Sequence, residues 1–141
     1  MPITTERIER GIYFAEWSGH LQAEETIDSI RPVLALAAED QCERFVIVID
    51  ATQFIGVNRF DIGALVTSIR ATETKVIARV VINGTIVAQV AQSIIYKLLR
   101  SRFYTVNAKE KAFDLARRLL AEDTHLRETN GVNDGTANLT H

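Results

Sequence analysis

The sequence is poor in the residues that staple small proteins or bind metals. Among 141 residues there is one cysteine, Cys42, so no disulfide can form within the chain. Two of the three histidines, His125 and His141, lie near the carboxyl terminus, and neither CxxC nor HExxH occurs. A metal site is therefore not expected.

The chain also lacks the motifs that mark common enzymes. The phosphate-loop pattern GxxxxGK[ST], the dinucleotide pattern GxGxxG and the nucleophile elbow GxSxG are all absent. Cys42 lies between a predicted helix and a predicted strand, where a cysteine usually packs as a small hydrophobe. We therefore predict no catalytic residues, no cofactor and no enzyme activity. A minor activity at Asp50 is the one enzymatic hypothesis left, and no partner group accompanies it.

Long apolar runs are missing as well, so no membrane span is predicted. The first ten residues, MPITTERIER, do not resemble a signal peptide, and we expect a cytoplasmic location. Hydrophobic residues make up 47% and charged residues 24% of the chain, as in ordinary globular proteins. The length suggests one domain.

Charge is unevenly distributed along the chain. The net charge of −2 argues against general nucleic-acid binding. Residues 1–74 are acidic, with a balance of −6, residues 75–118 are basic, with a balance of +7, and residues 119–141 carry −3. Either these segments neutralise one another in the fold, or the basic one forms a face for an anionic partner.

Hydrophobic periodicity predicts an alternation of strands and helices. Strands are indicated at 3–8, 12–17, 45–49, 76–82 and 103–106, and helices at 22–40, from 58, at 86–101 and from 108. Pro32 should kink or split the first helix. We predict an α/β fold with a mostly parallel sheet of four to five strands and helices packed on it, spanning residues 1–123. Residues 124–141 are predicted to be a disordered polar tail.

A candidate site follows from this topology, because open parallel sheets bind ligands at the carboxyl ends of their strands. The predicted loop 51–57 lies there, and its candidate partner-binding residues are Asp50, Phe54, Asn58, Arg59 and Asp61. Each polar residue has a structural alternative. Asp50 could accept hydrogen bonds from the following loop, Asn58 and Asp61 could cap the second helix, and Arg59 could be an ordinary solvated side chain.

The order of elements resembles the STAS domain of anti-sigma-factor antagonists and sulfate-transporter tails. It is more similar still to STAS-like, CRAL-TRIO-like single-domain proteins of bacteria. The similarity covers roughly residues 8–121 and rests on the segments 19–25 (GHLQAEE), 45–50 (FVIVID) with 63–65 (GAL), and 103–112 (FYTVNAKEKA).

The resemblance implies a regulatory module, with one departure from the family. Antagonists are switched by phosphorylation of a serine at the start of the second helix. Here the corresponding stretch, residues 58–61 (NRFD), contains no hydroxyl. A standard antagonist switch is therefore not expected.

Two functions from different classes remain. The first is a non-enzymatic regulatory module that binds a protein partner, with a homodimer left open. The alternative is a small-molecule or lipid-binding protein whose apolar pocket is lined by the third helix, residues 86–101.

Overall fold

A five-stranded sheet forms the centre of the protein, in a computed structural model that describes residues 2–58, 62–82 and 102–140. The strands are β1 (Ile3–Glu9), β2 (Ile12–Gln22), β3 (Phe45–Asn58), β4 (Val76–Ile82) and β5 (Phe103–Val106). They lie across the sheet in their order along the chain. β1 is antiparallel to β2, and all other neighbours are parallel. The predicted α/β class and mostly parallel sheet are confirmed.

Helices pack on this sheet. Those described are α1 (Ala23–Asp28), α2 (Ile30–Glu39), α3 (Ile62–Thr72) and α4 (Lys109–Thr140). The predicted third helix at 86–101 lies outside the described residues. None of the described helices is long and apolar enough to cross a membrane.

The first predicted helix is divided in two, as the proline pattern indicated. α1 ends at Asp28 and α2 begins at Ile30, with Ser29 between them. Pro32 has no N–H to donate to the carbonyl of Asp28, and its ring crowds that carbonyl. The loss of this hydrogen bond explains why the break lies just before the proline.

The sheet is buried on both faces, because successive side chains of a strand point to opposite sides. On one face, Phe14 and Val48 pack against Ala112 and Ala116 of α4. On the other face, strand residues pack against α2, and the cluster comprises Tyr13, Phe45, Ile47, Val76, Val33 and Ala37. The prediction that residues 45–49 form a central strand buried on both sides is confirmed.

β3 is longer than the sequence predicted. Residues 51–57 were expected to form a loop, but β3 continues to Asn58. β2 also continues, to Gln22, and pairs with β3 over this whole length. The loop prediction is wrong because the pairing of two extended strands satisfies the backbone there.

Two contacts hold α4 against the base of the sheet, at the end opposite the carboxyl ends of the strands. Gly11, in the β1–β2 turn, has φ of +93°, and a Cβ there would lie 2.8 Å from a methyl of Leu120. Arg44 donates to both carboxylate oxygens of Asp123, and its Nη1 donates to the carbonyl of Thr74 at 2.8 Å. α4 is thereby fixed as far as Asp123.

The structure differs from the sequence prediction beyond Asp123. α4 continues as a helix to Thr140, where a disordered tail was expected. Leu126 is 55% exposed, and Arg127 lies 3.5 Å from the carboxylate of Glu43. The domain boundary at residue 123 stays a prediction.

Candidate functional site

Among the described residues, two strands extend beyond the others at the carboxyl end of the sheet. The register of β1 with β2 ends at Trp17, beyond which the backbone N–H of Ser18 donates to the carbonyl of Pro2, and the register of β4 with β3 ends at Asp50. Beyond these points, residues 18–22 of β2 pair with residues 51–58 of β3. We call this two-stranded segment the distal ribbon. It occupies the position where open parallel sheets bind their ligands.

The pairing in the distal ribbon is interrupted twice. Glu16 is opposite Asp50 while Ser18 is opposite Gln53, and Gly19 is opposite Phe54 while His20 is opposite Gly56. In each step β3 contains one residue more than β2, which defines a β-bulge. Bulges bend and twist a strand and change where its side chains point. Such devices are common beside binding sites.

One side of the distal ribbon is apolar and buried. Phe54 is 8% exposed and packs in a cluster with Leu21, Ala51 and Val81. Its ring meets the ring of Trp17 edge to face, with 5.7 Å between the centroids. Phe54 was predicted to contact a partner, but its ring lies inside the protein. The ring packs on the buried side of the distal ribbon.

The opposite side of the distal ribbon is open to solvent and carries an apolar side chain. Ile55 is 62% exposed, and the neighbouring side chains of Ser18, His20 and Gln53 are exposed too. Ile55 is not among the site residues that the sequence predicts. The sequence predicts a loop for this segment, and a loop has no defined inward and outward faces. An alternation of Phe54 inside and Ile55 outside becomes visible only once the strand is recognised.

Asp50 is engaged locally. Its Oδ1 accepts hydrogen bonds from the backbone N–H of Thr52 at 2.9 Å and from the Thr52 hydroxyl. The structural alternative predicted for Asp50 is thus confirmed. Glu16 is its registered neighbour on β2, so two carboxylates lie side by side at the base of the ribbon. No cluster of metal-binding side chains occurs among the described residues.

The remaining predicted site residues follow the ribbon. Asn58 is the last residue of β3, and the described part of α3 spans Ile62–Thr72. The capping role predicted for Asn58 and Asp61 stays a prediction. Arg59 and Asp61 lie outside the described residues.

A hydrogen-bonded ionic network lies at the other end of the sheet. Asp40 accepts hydrogen bonds from Arg7 at 2.9 Å and from the Tyr13 hydroxyl at 2.7 Å. These donors hold the pKa of Asp40 below its usual value, the Arg7 guanidinium contributing most. Burial and the bond to Asp40 raise the pKa of Tyr13. The network links β1 and β2 to the carboxyl end of α2, because Arg7 lies on β1, Tyr13 on β2 and Asp40 at the end of the helix.

Comparison with solved structures identifies the fold. A protein of the DUF3478 family with a SpoIIAA-like fold, from Shewanella loihica PV-4, matches with a TM-score of 0.59 and 17% identity, over 81% of this chain and 91% of that one. The Bacillus cell fate determinant SpoIIAA in its phosphorylated form matches with a TM-score of 0.51 and 14% identity, over 79% and 96%. The unphosphorylated anti-sigma factor antagonist SpoIIAA matches with a TM-score of 0.52 and 14% identity, over 82% and 97%.

Sequence comparison adds no further relative. No protein-family model matches the chain, and no curated protein matches it at a significant level. The chain therefore has a SpoIIAA-like, STAS-like α/β fold.

Proposed function

We propose that this protein is a non-enzymatic regulatory module that binds a protein partner through the distal ribbon. The observation that carries the proposal is the exposure of Ile55 on a paired strand at the carboxyl end of the sheet. The fold supports it, since two of the similar structures belong to an anti-sigma factor antagonist. A cytoplasmic location fits this role.

The exposed side chain of Ile55 can contribute to the affinity for a partner. A large aliphatic side chain stabilises a complex when a partner removes it from water, by about 25 cal/mol for each Å² covered. Ile55 is held by strand pairing, and the buried ring of Phe54 lies on the other side of the same strand. Little conformational entropy is therefore lost when a partner packs on it.

Polar and charged residues predicted around Ile55 would supply specificity. Asp50 precedes it on the same strand, and Asn58, Arg59 and Asp61 follow it in the sequence. A central apolar contact with a polar rim is the usual organisation of a protein interface. The proposal therefore assigns affinity to Ile55 and selectivity to the flanking polar residues.

We propose further that binding is not controlled by phosphorylation at residues 58–61, which contain no hydroxyl. The nearest threonine in α3, Thr67, donates its hydroxyl to the carbonyl of Gly63 at 2.9 Å. The phosphorylation switch that anti-sigma-factor antagonists have at the start of the second helix would therefore be absent.

The test compares two variants that place the same charge on an exposed apolar site. Ile55→Asp should weaken the complex with a partner captured from native cells and then purified, by about tenfold or more in Kd. Leu126→Asp is the matched control, because Leu126 is 55% exposed but lies on α4, away from the ribbon. Equal affinities of the two variants would exclude the ribbon. A small molecule that copurifies in native mass spectrometry, with no partner protein, would favour the alternative function instead.

A further inference from the structure

β1 lies at one edge of the sheet, and β2 is its neighbour in the strand order of the described residues. The backbone N–H of Ser18 donates to the carbonyl of Pro2 at 2.9 Å, so these two residues form a hydrogen-bonded pair of the antiparallel ladder. Hydrogen-bonded and non-hydrogen-bonded pairs alternate along such a ladder. The N–H and C=O groups of Ile3, Thr5 and Arg7 therefore point away from β2, along the outer edge of the sheet.

These outward backbone groups are free to pair with another strand. Within the part of the chain that the structure describes, none of them takes part in a hydrogen bond. The side chains of Thr4, Glu6 and Arg7 are exposed along the same strand, and Thr5 is half-buried. A strand with free N–H and C=O groups at the edge of a sheet is a template for pairing with a further strand.

The usable part of this edge has defined ends. Pro2 has no N–H, and its carbonyl is already bonded to Ser18. At the other end, the register shifts between Arg7 and Glu9, and such an irregularity bends the strand away from a straight ladder. The regular edge therefore spans residues 3–7 and is centred on Thr5.

We propose that this edge binds a second copy of the chain, with the two β1 strands antiparallel about a two-fold axis at Thr5. Thr5 would then face Thr5 of the partner subunit, and Ile3 would face Arg7 of the partner subunit on either side of the axis. Three opposed pairs with two hydrogen bonds each use all the outward groups of both copies. The pairing joins the two sheets into one and leaves the distal ribbon free, so it stands independently of the proposed function.

The side chains favour a second copy because β1 is complementary to itself in this register. Thr4 lies opposite Glu6 of the partner subunit, and its hydroxyl can donate to that carboxylate. Two threonines at the axis are a favourable cross-strand pair. An axis at Glu6 or at Arg7 would instead place like charges directly opposite each other and leave outward groups unpaired. A direct Glu6–Arg7 pair is excluded, because opposed residues must both point their backbone groups outward or both inward.

The first test is whether the full chain dimerises. Sedimentation velocity at concentrations up to about 100 μM should show monomer and dimer in exchange, since a small interface associates weakly. A monomer at every concentration would overturn the proposal in favour of an extended segment of a different protein. Assemblies larger than a dimer would overturn it as well, because a two-fold contact closes on itself.

Two substitutions of the same residue test the position of the axis. Thr5→Pro and Thr5→Val both remove the hydroxyl, but only proline removes the N–H that bonds across the axis. Proline is tolerated on an edge strand where the N–H faces outward, so the monomer should fold, as thermal melting will check. Its dimer loses two hydrogen bonds, one from each copy, and its Kd should rise about tenfold or more. Thr5→Val should dimerise as the wild type does, and equal Kd values for the two variants would overturn the proposal.

Crosslinking keeps the proposal testable if Thr5→Pro does not fold. Directly opposed residues of a hydrogen-bonded pair have Cα atoms about 5.5 Å apart, a separation that a disulfide can span. Thr5→Cys should therefore form a covalent dimer under mild oxidation. Glu9→Cys is the control on the same strand, because the two copies of that residue would lie more than about 20 Å apart. The wild type measures the background from Cys42. Equal crosslinking of Thr5→Cys and Glu9→Cys would contradict an axis at Thr5.

Discussion

The burial of β3 can be tested by truncating the same residue type at two positions of that strand. Ile47 is 4% exposed, whereas Ile55 is 62% exposed. Ile47→Ala removes three carbons that pack against Tyr13 and Phe45 on the α2 face of the sheet. At about 0.8 kcal/mol for each buried methylene, the transfer contribution is about 2.4 kcal/mol, and the cavity left behind adds to it. We expect a loss of about 2.5–4 kcal/mol in the free energy of unfolding.

Urea unfolding followed by circular dichroism measures this loss, provided that the slope of the free energy against denaturant is unchanged. The matched variant Ile55→Ala makes the same chemical change on the surface and should cost less than about 0.5 kcal/mol. Such a pair separates burial from strand propensity, since both residues lie in β3. A loss below about 1 kcal/mol for Ile47→Ala, or equal losses at the two positions, would refute the burial of residues 45–49 between two layers of helices.

Four other outcomes are expected. Ending the chain after Asp123 should change the melting temperature little, whereas Asp123→Asn in the full chain should lower it clearly, because the substitution disrupts a bidentate ion pair. The free energy of unfolding should fall as the pH drops below about 4, because the bond from Arg7 holds the pKa of Asp40 below its usual value. In an acid titration of the Asp40→Asn variant, the share of this loss that comes from Asp40 should be absent. A kinase specific for antagonists should leave residues 58–61 unmodified, which phosphopeptide mapping can check. Arg59→Glu should weaken partner capture while the melting temperature stays level or rises slightly, because a nearby helix N-terminus favours a negative charge.

The strands were predictable where burial dominates their composition. Residues 45–49 are β-branched or aromatic without interruption, and such a run is stable only between two covered faces. Pro32 likewise predicts a break in the helix, because no tertiary contact can restore a missing N–H. In both cases one local property decides the outcome.

The distal ribbon could not be predicted in the same way. Residues 51–58 contain a glycine and several polar side chains, which locally favour a loop. They form a strand because β2 extends alongside them, and the two bulges shift their alternation. The pairing partner lies more than thirty residues earlier in the chain, so periodicity within the segment carries no trace of it. The exposure of Ile55 depends on this pairing, so it could not be predicted from the sequence either.

The uneven charge of the sequence is resolved only in part by the fold. Arg117, from the basic segment, pairs with Glu9 of the acidic segment at 2.7 Å, as mutual neutralisation requires. Three other cations of the basic segment lie over aromatic rings: Arg79 over Phe103, Arg102 over Tyr104, and Lys109 over Phe14. A ring attracts a cation but cancels none of its charge. Arg102 and Lys109 are exposed and Arg79 is half-buried, so water screens the first two more fully than Arg79. Ion pairing therefore neutralises part of the excess positive charge of residues 75–118, and aromatic rings and water stabilise cations that the described ion pairs leave over.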